Sequence, residues 1–230
     1  MSRTLKNGNG VTLIELIVAI AVTGIVAGAI YNIFISQSRA YTIQSEVAEM
    51  QQNLRAGIFM MEREIRMAGY DPTREANTEI LMASPNSLEY TADLSGDSDT
   101  DDINEHVIYT HYDADGDGTD DALGREDVNA GSGNQLVAEN IDNLNCIYVD
   151  ANRNALNDTS TSVDPTDLQE IRSIQITLVA RSGVRDPDYI NNITYQNQNP
   201  DGNEDIYTAP GDNFRRKLLT TEIKCRNLGL

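Results

Sequence analysis

Residues 11–35, VTLIELIVAIAVTGIVAGAIYNIFI, carry a single charge, Glu15, in 25 positions. About 20 consecutive apolar residues cross a bilayer, so the stretch predicts a membrane-spanning helix. From residue 36 the chain turns polar. Even so, Ile43, Val47, Met50, Leu54, Ile58, Met61, Ile65 and Ala68 recur every three or four positions, the mark of one apolar face on an amphipathic helix. No proline interrupts residues 11–71, and Gly69 followed by Pro72 is a stop signal. The spacing predicts one helix over 11–68, far longer than the ~11–12 residues usual in globular domains. Such an element is half anchor and half support for a sheet.

After Pro72 the period changes from three or four to two. Segments 87–92, 106–111, 136–138, 145–149, 171–180 and 218–226 read as strands, with the clearest alternation in Ile174-Gln175-Ile176-Thr177-Leu178. Acidic, turn-rich stretches separate them, and 157–168 and 196–213 have the composition of mobile loops. One antiparallel sheet packed on the helix's apolar face is the economical solution, giving an α+β class. The division expected is a leader over 1–10, a transmembrane half-helix over 11–35, an amphipathic half-helix over 36–69 and a β-rich globular domain over 70–230.

Charge sharpens the picture. Thirty-six acidic against 17 basic residues leave the chain at −19, which argues against a direct nucleic-acid partner, whose surface would be basic. Arg3 and Lys6 precede the apolar run, placing the amino end in the cytoplasm and the acidic remainder outside. A cleaved secretory signal would need a shorter apolar region and a small-residue cleavage site, and neither is present. A carboxylate inside the apolar layer costs a few kcal/mol, so Glu15 calls for a function. Gly24 and Gly28 form a G-x-x-x-G pair in the span, read either as a close helix–helix packing face or as chance in a Gly/Ala-rich segment.

Gly10-Val11-Thr12-Leu13-Ile14-Glu15-Leu16 resembles the processing site of type IV prepilins, shared with type II secretion pseudopilins. The resemblance implies cleavage between Gly10 and Val11 by a prepilin peptidase and N-methylation of Val11, where the family usually has Phe. It also implies that Glu15 pairs with the amine of a neighbouring subunit during assembly. Two opposite charges buried together are tolerable where one alone is not. Glu62-Arg63-Glu64-Ile65-Arg66-Met67-Ala68-Gly69-Tyr70, Ile171 to Leu178, and Arg215 to Thr221 with Arg226-Asn227-Leu228 are similar to PilW-type minor pilins. GspJ-type minor pseudopilins share the layout. The pilin fold is thereby implied, with other minor and major pilins, the inner-membrane assembly platform and the membrane as partners. The function implied is a minor pilin that initiates or caps a type IV pilus, serving adhesion, twitching motility or DNA uptake. A type II secretion pseudopilin and a membrane-anchored calcium-dependent adhesin are the alternatives.

Asp113, Asp115, Asp117 and Asp121 match the first part of a calcium loop, with Gly118 at the sharp turn, but Gly124 stands where a helix–loop–helix site needs a bidentate Glu. Calcium is thus a candidate cofactor, and a solvated acidic turn is the alternative. Asp97-Asp99-Asp101, Asp150-Asn152-Asn154 and Asp201-Asn203-Asp205 echo the pattern more weakly. Cys146 and Cys225 fall on separate expected strands. They form a disulfide if those strands are neighbours, and otherwise stay two buried thiols. No nucleophile elbow, phosphate loop or zincin motif occurs. His106 and His111, five apart on one strand, point to opposite faces, so no enzyme is expected.

Overall fold

A computed structural model describes residues 10–229. Of the leader expected over 1–10, residues 1–9 lie outside the described residues. The chain divides into two compact units at Ser45/Glu46.

The amino-terminal unit is helical from Leu13, the start of α1 (Leu13–Ile65). Its side chains from Val11 to Thr42 are exposed. This is the most apolar part of the helix, and none of it is buried within the chain. An unburied stripe of that character on every side suits lipid rather than water.

In the second unit the same helix is one-sided. Met50, Leu54, Ile58, Met61 and Ile65 are buried, Val47 packs at the rim of the core, and Ala68 follows in the turn that ends the helix. The stripe is the one the sequence spacing marks. The helix stops three residues short of the expected end. Gly69, at φ 75°, turns the chain back, and its N–H donates to Thr91 O at 2.9 Å. A Cβ there would sit 2.4 Å from Leu228 Cδ2. The space and the left-handed backbone both demand glycine.

The expected single sheet is two sheets and a ribbon. The first sheet runs in order β1 (Ile80–Ser84), β2 (Ser87–Thr91), β3 (His106–Tyr112), β4 (Ala122–Asp127), β5 (Gln135–Glu139). The second sets β7 (Ser173–Arg181) between β6 (Ile141–Val149) and β10 (Arg216–Lys224), and β8 (Thr194–Gln196) with β9 (Asp205–Thr208) forms the ribbon. All pairings are antiparallel. Gly57 shows how the helix meets both sheets: a Cβ built on it would lie 3.2 Å from Leu123 Cδ2 on β4 and 3.7 Å from Leu178 Cδ1 on β7. Helix and sheets thus share one core, which also takes in Tyr109, Ile141, Ile174 and Ile223.

The two stretches with loop composition are each pinned to the core at particular residues. Asn157 accepts from Tyr148 N at 2.8 Å and donates to Cys146 O at 3.0 Å, and Val163 is 5% exposed. In the second stretch Asn197 donates to Asn145 Oδ1, and Gln175 Nε2 to Gln198 O at 2.8 Å. Amide side chains stand in for ladder bonds here, which is why composition alone reads as loop.

The disulfide reading is corrected by topology. Cys146 lies on β6 opposite Ile176, whereas Cys225 follows β10 and its N–H bonds Arg172 O. Strand β7 runs between them. Strands two apart stand about 9.6 Å apart, beyond the ~7 Å Cα limit for bridging. Both cysteines are free and buried. Burial pushes each thiol up to about 12, so both stay protonated and inert at neutral pH.

Candidate functional site

The helix start is built by its own residues. Gly10, Val11 and Thr12 precede α1 and are exposed. The Thr12 N–H donates to Glu15 Oε2 at 2.9 Å, the Glu15 N–H donates to Thr12 Oγ1 at 3.3 Å, and the Thr12 hydroxyl donates to Glu15 Oε2 at 2.9 Å. This reciprocal pair is a capping box. It satisfies two of the four amide groups that a helix start leaves open. Thr12 is therefore the residue that sequence reading missed, although the T-x-x-E spacing was there to find it. The Glu15 carboxylate is not an idle charge even in the single chain. It is aimed back at the helix start, where the macrodipole favours an anion.

Farther along, Gly24 and Gly28 have nothing within 4 Å of an added Cβ, so their common face is open. The polar side chains of this segment turn inward on the helix: Thr23 Oγ1 donates to Ala19 O at 2.7 Å, and Asn32 Nδ2 to Gly28 O at 3.0 Å. Satisfying a polar group within the helix lowers the cost of placing it in lipid.

The acidic loop between β3 and β4 gathers only part of the expected set. Asp113, Asp115 and Asp117 each bring a carboxylate oxygen within 4.8 Å of the others, but Asp121 is not among them. Asp121 sits at the foot of β4, where one oxygen faces Arg181 at 3.5 Å and the other accepts weakly from Ala114 N. The remaining three are Asx-turn residues. Asp113 accepts from Gly118 N and Gly116 N at 2.7 Å each, and Asp117 from Thr119 N at 2.8 Å. Hydrogen bonds, led by that from Gly118, outweigh desolvation and hold the Asp113 carboxyl below the usual carboxylate range. Asp97, Asp102 and Glu105 form a second acidic group, which shares only Asp97 with the expected Asp97-Asp99-Asp101 set.

The two histidines serve separate partners. His106 Nε2 bonds Glu89 Oε1 and His111 Nε2 bonds Ile141 O, each at 2.7 Å.

Beneath this surface a polar lock joins helix and sheet. Glu64, on α1, accepts from Tyr109 Oη and from Arg125 Nε, both at 2.8 Å, and Arg125 donates onward to Asn104 Oδ1. Burial, then the Glu64 charge, pushes the Tyr109 phenol well above its ordinary range. Burial opposes the charge on Arg125, and the Glu64 hydrogen bond and charge more than restore it.

Comparison with known proteins decides the family. The model of the type IV pilus-assembly protein W family matches residues 110–227, just over half of the chain. The chain belongs to the PilW family. The prokaryotic N-terminal methylation motif matches residues 5–31, covering the capping box. No curated protein matches. Among solved structures, a type IV-like pilin from Thermus thermophilus aligns at 15% identity and TM-score 0.47, over 78% of this chain and 98% of that one. The architecture is that of an α+β pilin: one long amino-terminal apolar helix on antiparallel sheets. PilW proteins are structural components of pilus assembly, and the methylation motif implies other pilins and a prepilin peptidase as partners.

Proposed function

We propose that the chain is a minor pilin that starts or caps a type IV pilus. In this reading a peptidase cuts between Gly10 and Val11 on the cytoplasmic side and Val11 is methylated. Residues 11–35 hold the protein in the inner membrane with its globular unit in the periplasm. The assembly platform then draws it into the fibre, where it supports adhesion, twitching or DNA uptake. The observation that carries the reading is the helix start. A cut after Gly10 leaves an amine one residue from the Thr12 N–H, and Glu15 already reaches back to that point. The open Gly24/Gly28 face gives the helix of a neighbouring subunit a close approach.

Gly10→Val tests the processing step. Intact mass of the chain from cells is expected to show residues 1–10 retained, and the protein is expected to be missing from sheared surface fibres. Normal removal of the leader in this variant would refute the cleavage site. Deleting the gene is expected to remove pili and leave exoprotein secretion intact. Retained pili with lost secretion would place the chain in a secretion apparatus instead.

The acidic loop is proposed to take a calcium ion weakly, in the ~10⁻⁴–10⁻³ M range typical of extracellular modules, through Asp113, Asp115 and Asp117. Titration calorimetry is expected to show heat of binding that Asp115→Asn removes and Asp121→Asn leaves in place. Loss with Asp121→Asn, or no heat from the unmodified chain, would contradict that assignment.

A further inference from the structure

The face of α1 turned away from the buried stripe carries Phe59, which is 67% exposed. Met67, 37% exposed, follows just beyond the helix. With Tyr70 and Asn227 they line a groove of about 500 Å³. Its charged lining is Arg63, Arg66 and Arg226 against one carboxylate, Glu62. On a chain of net charge −19, this is a cationic, apolar-floored concavity. Arg66 pairs with Glu62. Arg63 lies 3.6 Å from Glu64, whose carboxylate already serves Tyr109 and Arg125. Arg226 is exposed.

The complementary surface is on the same chain. Loop 94–103, LSGDSDTDDI, sets exposed Asp97, Asp99, Asp101 and Asp102 between Leu94, 44% exposed, and Ile103, 67% exposed. Its base is held rigidly: buried Asp93 accepts from Gly96 N and Ser98 N, and buried Glu105 from Leu94 N and Ser95 N. The loop is therefore pre-organised, which reduces the entropy lost on docking. Its carboxylates crowd one another. The Asp99 hydrogen bond, then the charges of Asp99, Asp102 and Asp97, push the Asp101 carboxyl up, and an external cation would relieve that repulsion. The Asp93 N–H donates to Tyr70 O at 2.7 Å, so groove and loop sit at the same end of the unit.

We propose that the groove receives loop 94–103 of a second copy of this chain, with Ile103 seated between Phe59 and Met67 and Asp99, Asp101 and Asp102 facing Arg63, Arg66 and Arg226. Because both surfaces lie at one end of the molecule, a two-fold pair makes the contact twice and closes. Screening weakens it, since exposed charges stop interacting beyond ~8 Å at physiological salt and ~3 Å at 1 M.

The test uses the full chain in density-matched detergent, with self-association followed by sedimentation. The unmodified chain is expected to dimerise at low ionic strength and to dissociate in 1 M salt. Arg63→Glu with Arg226→Glu, and separately Asp99→Lys with Asp101→Lys, are each expected to weaken dimerisation about tenfold or more. An equal mixture of the two variants is expected to restore it, because both contacts then regain opposite charges. All four positions are surface sites, so unchanged circular dichroism shows that folding is not the cause. A monomeric unmodified chain overturns the proposal. So does a dimer indifferent to the variants, or a mixture no tighter than either variant alone, since both would mean association through the membrane helix.

Discussion

Replacing Glu64 by alanine is expected to cost the globular unit about 3–5 kcal/mol, read as a lowered midpoint of chemical denaturation. The Arg125 side chain is 6% exposed and that of Glu64 17%. Removing the carboxylate strands a guanidinium between helix and sheet and leaves the Tyr109 hydroxyl without its acceptor. Glu64→Gln should cost less, because its amide oxygen still accepts from Tyr109 while the charge on Arg125 goes unanswered. The informative variant is the double replacement Glu64→Leu with Arg125→Leu. Apolar side chains in place of both charges are expected to recover much of the loss, since a buried ion pair often does no more than balance its own desolvation. A cost under about 1 kcal/mol for the single alanine would mean that water reaches Arg125 and that the lock is an ordinary surface pair.

The second large effect is expected at Glu15, measured as the share of the protein in sheared fibres relative to the membrane pool. Glu15→Gln keeps an acceptor for the Thr12 N–H but removes the charge, whereas Glu15→Leu removes both. If the carboxylate meets a neighbour's amine in an apolar interior, both variants should lose incorporation by about tenfold or more, because an unpartnered ammonium is then buried. If capping is its whole role, Glu15→Gln should enter fibres at the unmodified level, and the docking role falls. Thr12→Val gives the converse case, with the charge present and the hydroxyl half of the cap gone. It is expected to fray the helix start while leaving incorporation closer to normal than Glu15→Gln does.

These two carboxylates show what pattern-reading catches and what it misses. Glu15 stands out because it is the one charge in 25 positions, and its environment is nearly all local, set by a residue three positions earlier. Glu64 looks like any polar position on the outer part of a helix, since its partners are 45 and 61 residues away. Strand β4 is missed for the same reason. Ala122-Leu123-Gly124-Arg125-Glu126-Asp127 reads as loop, yet Arg125 and Asp127 are buried there because Arg125 donates to Glu64 and Asp127 accepts from the Asn104 N–H. β9 lies in a stretch whose Asn, Asp and Gly content looks like a loop. It is a strand because β8 pairs with it.

What the sequence by itself determined is whatever depends on near neighbours and one-sided burial. That covers the long helix and its change from all-round apolar to striped, the turn at Gly69, most of the strands, and the glycine–carboxylate spacing at the amino end. The tertiary structure alone decided the split into two sheets, the strand that separates Cys146 from Cys225, the capture of Asp121 by Arg181 away from its acidic neighbours, and the gathering of Arg226 beside Arg63 and Arg66 around one groove. Each of these turns on a charge, thiol or backbone group whose partner is distant in the chain. Periodicity records which way a residue faces, and only folding brings the partner within hydrogen-bond or Coulomb range.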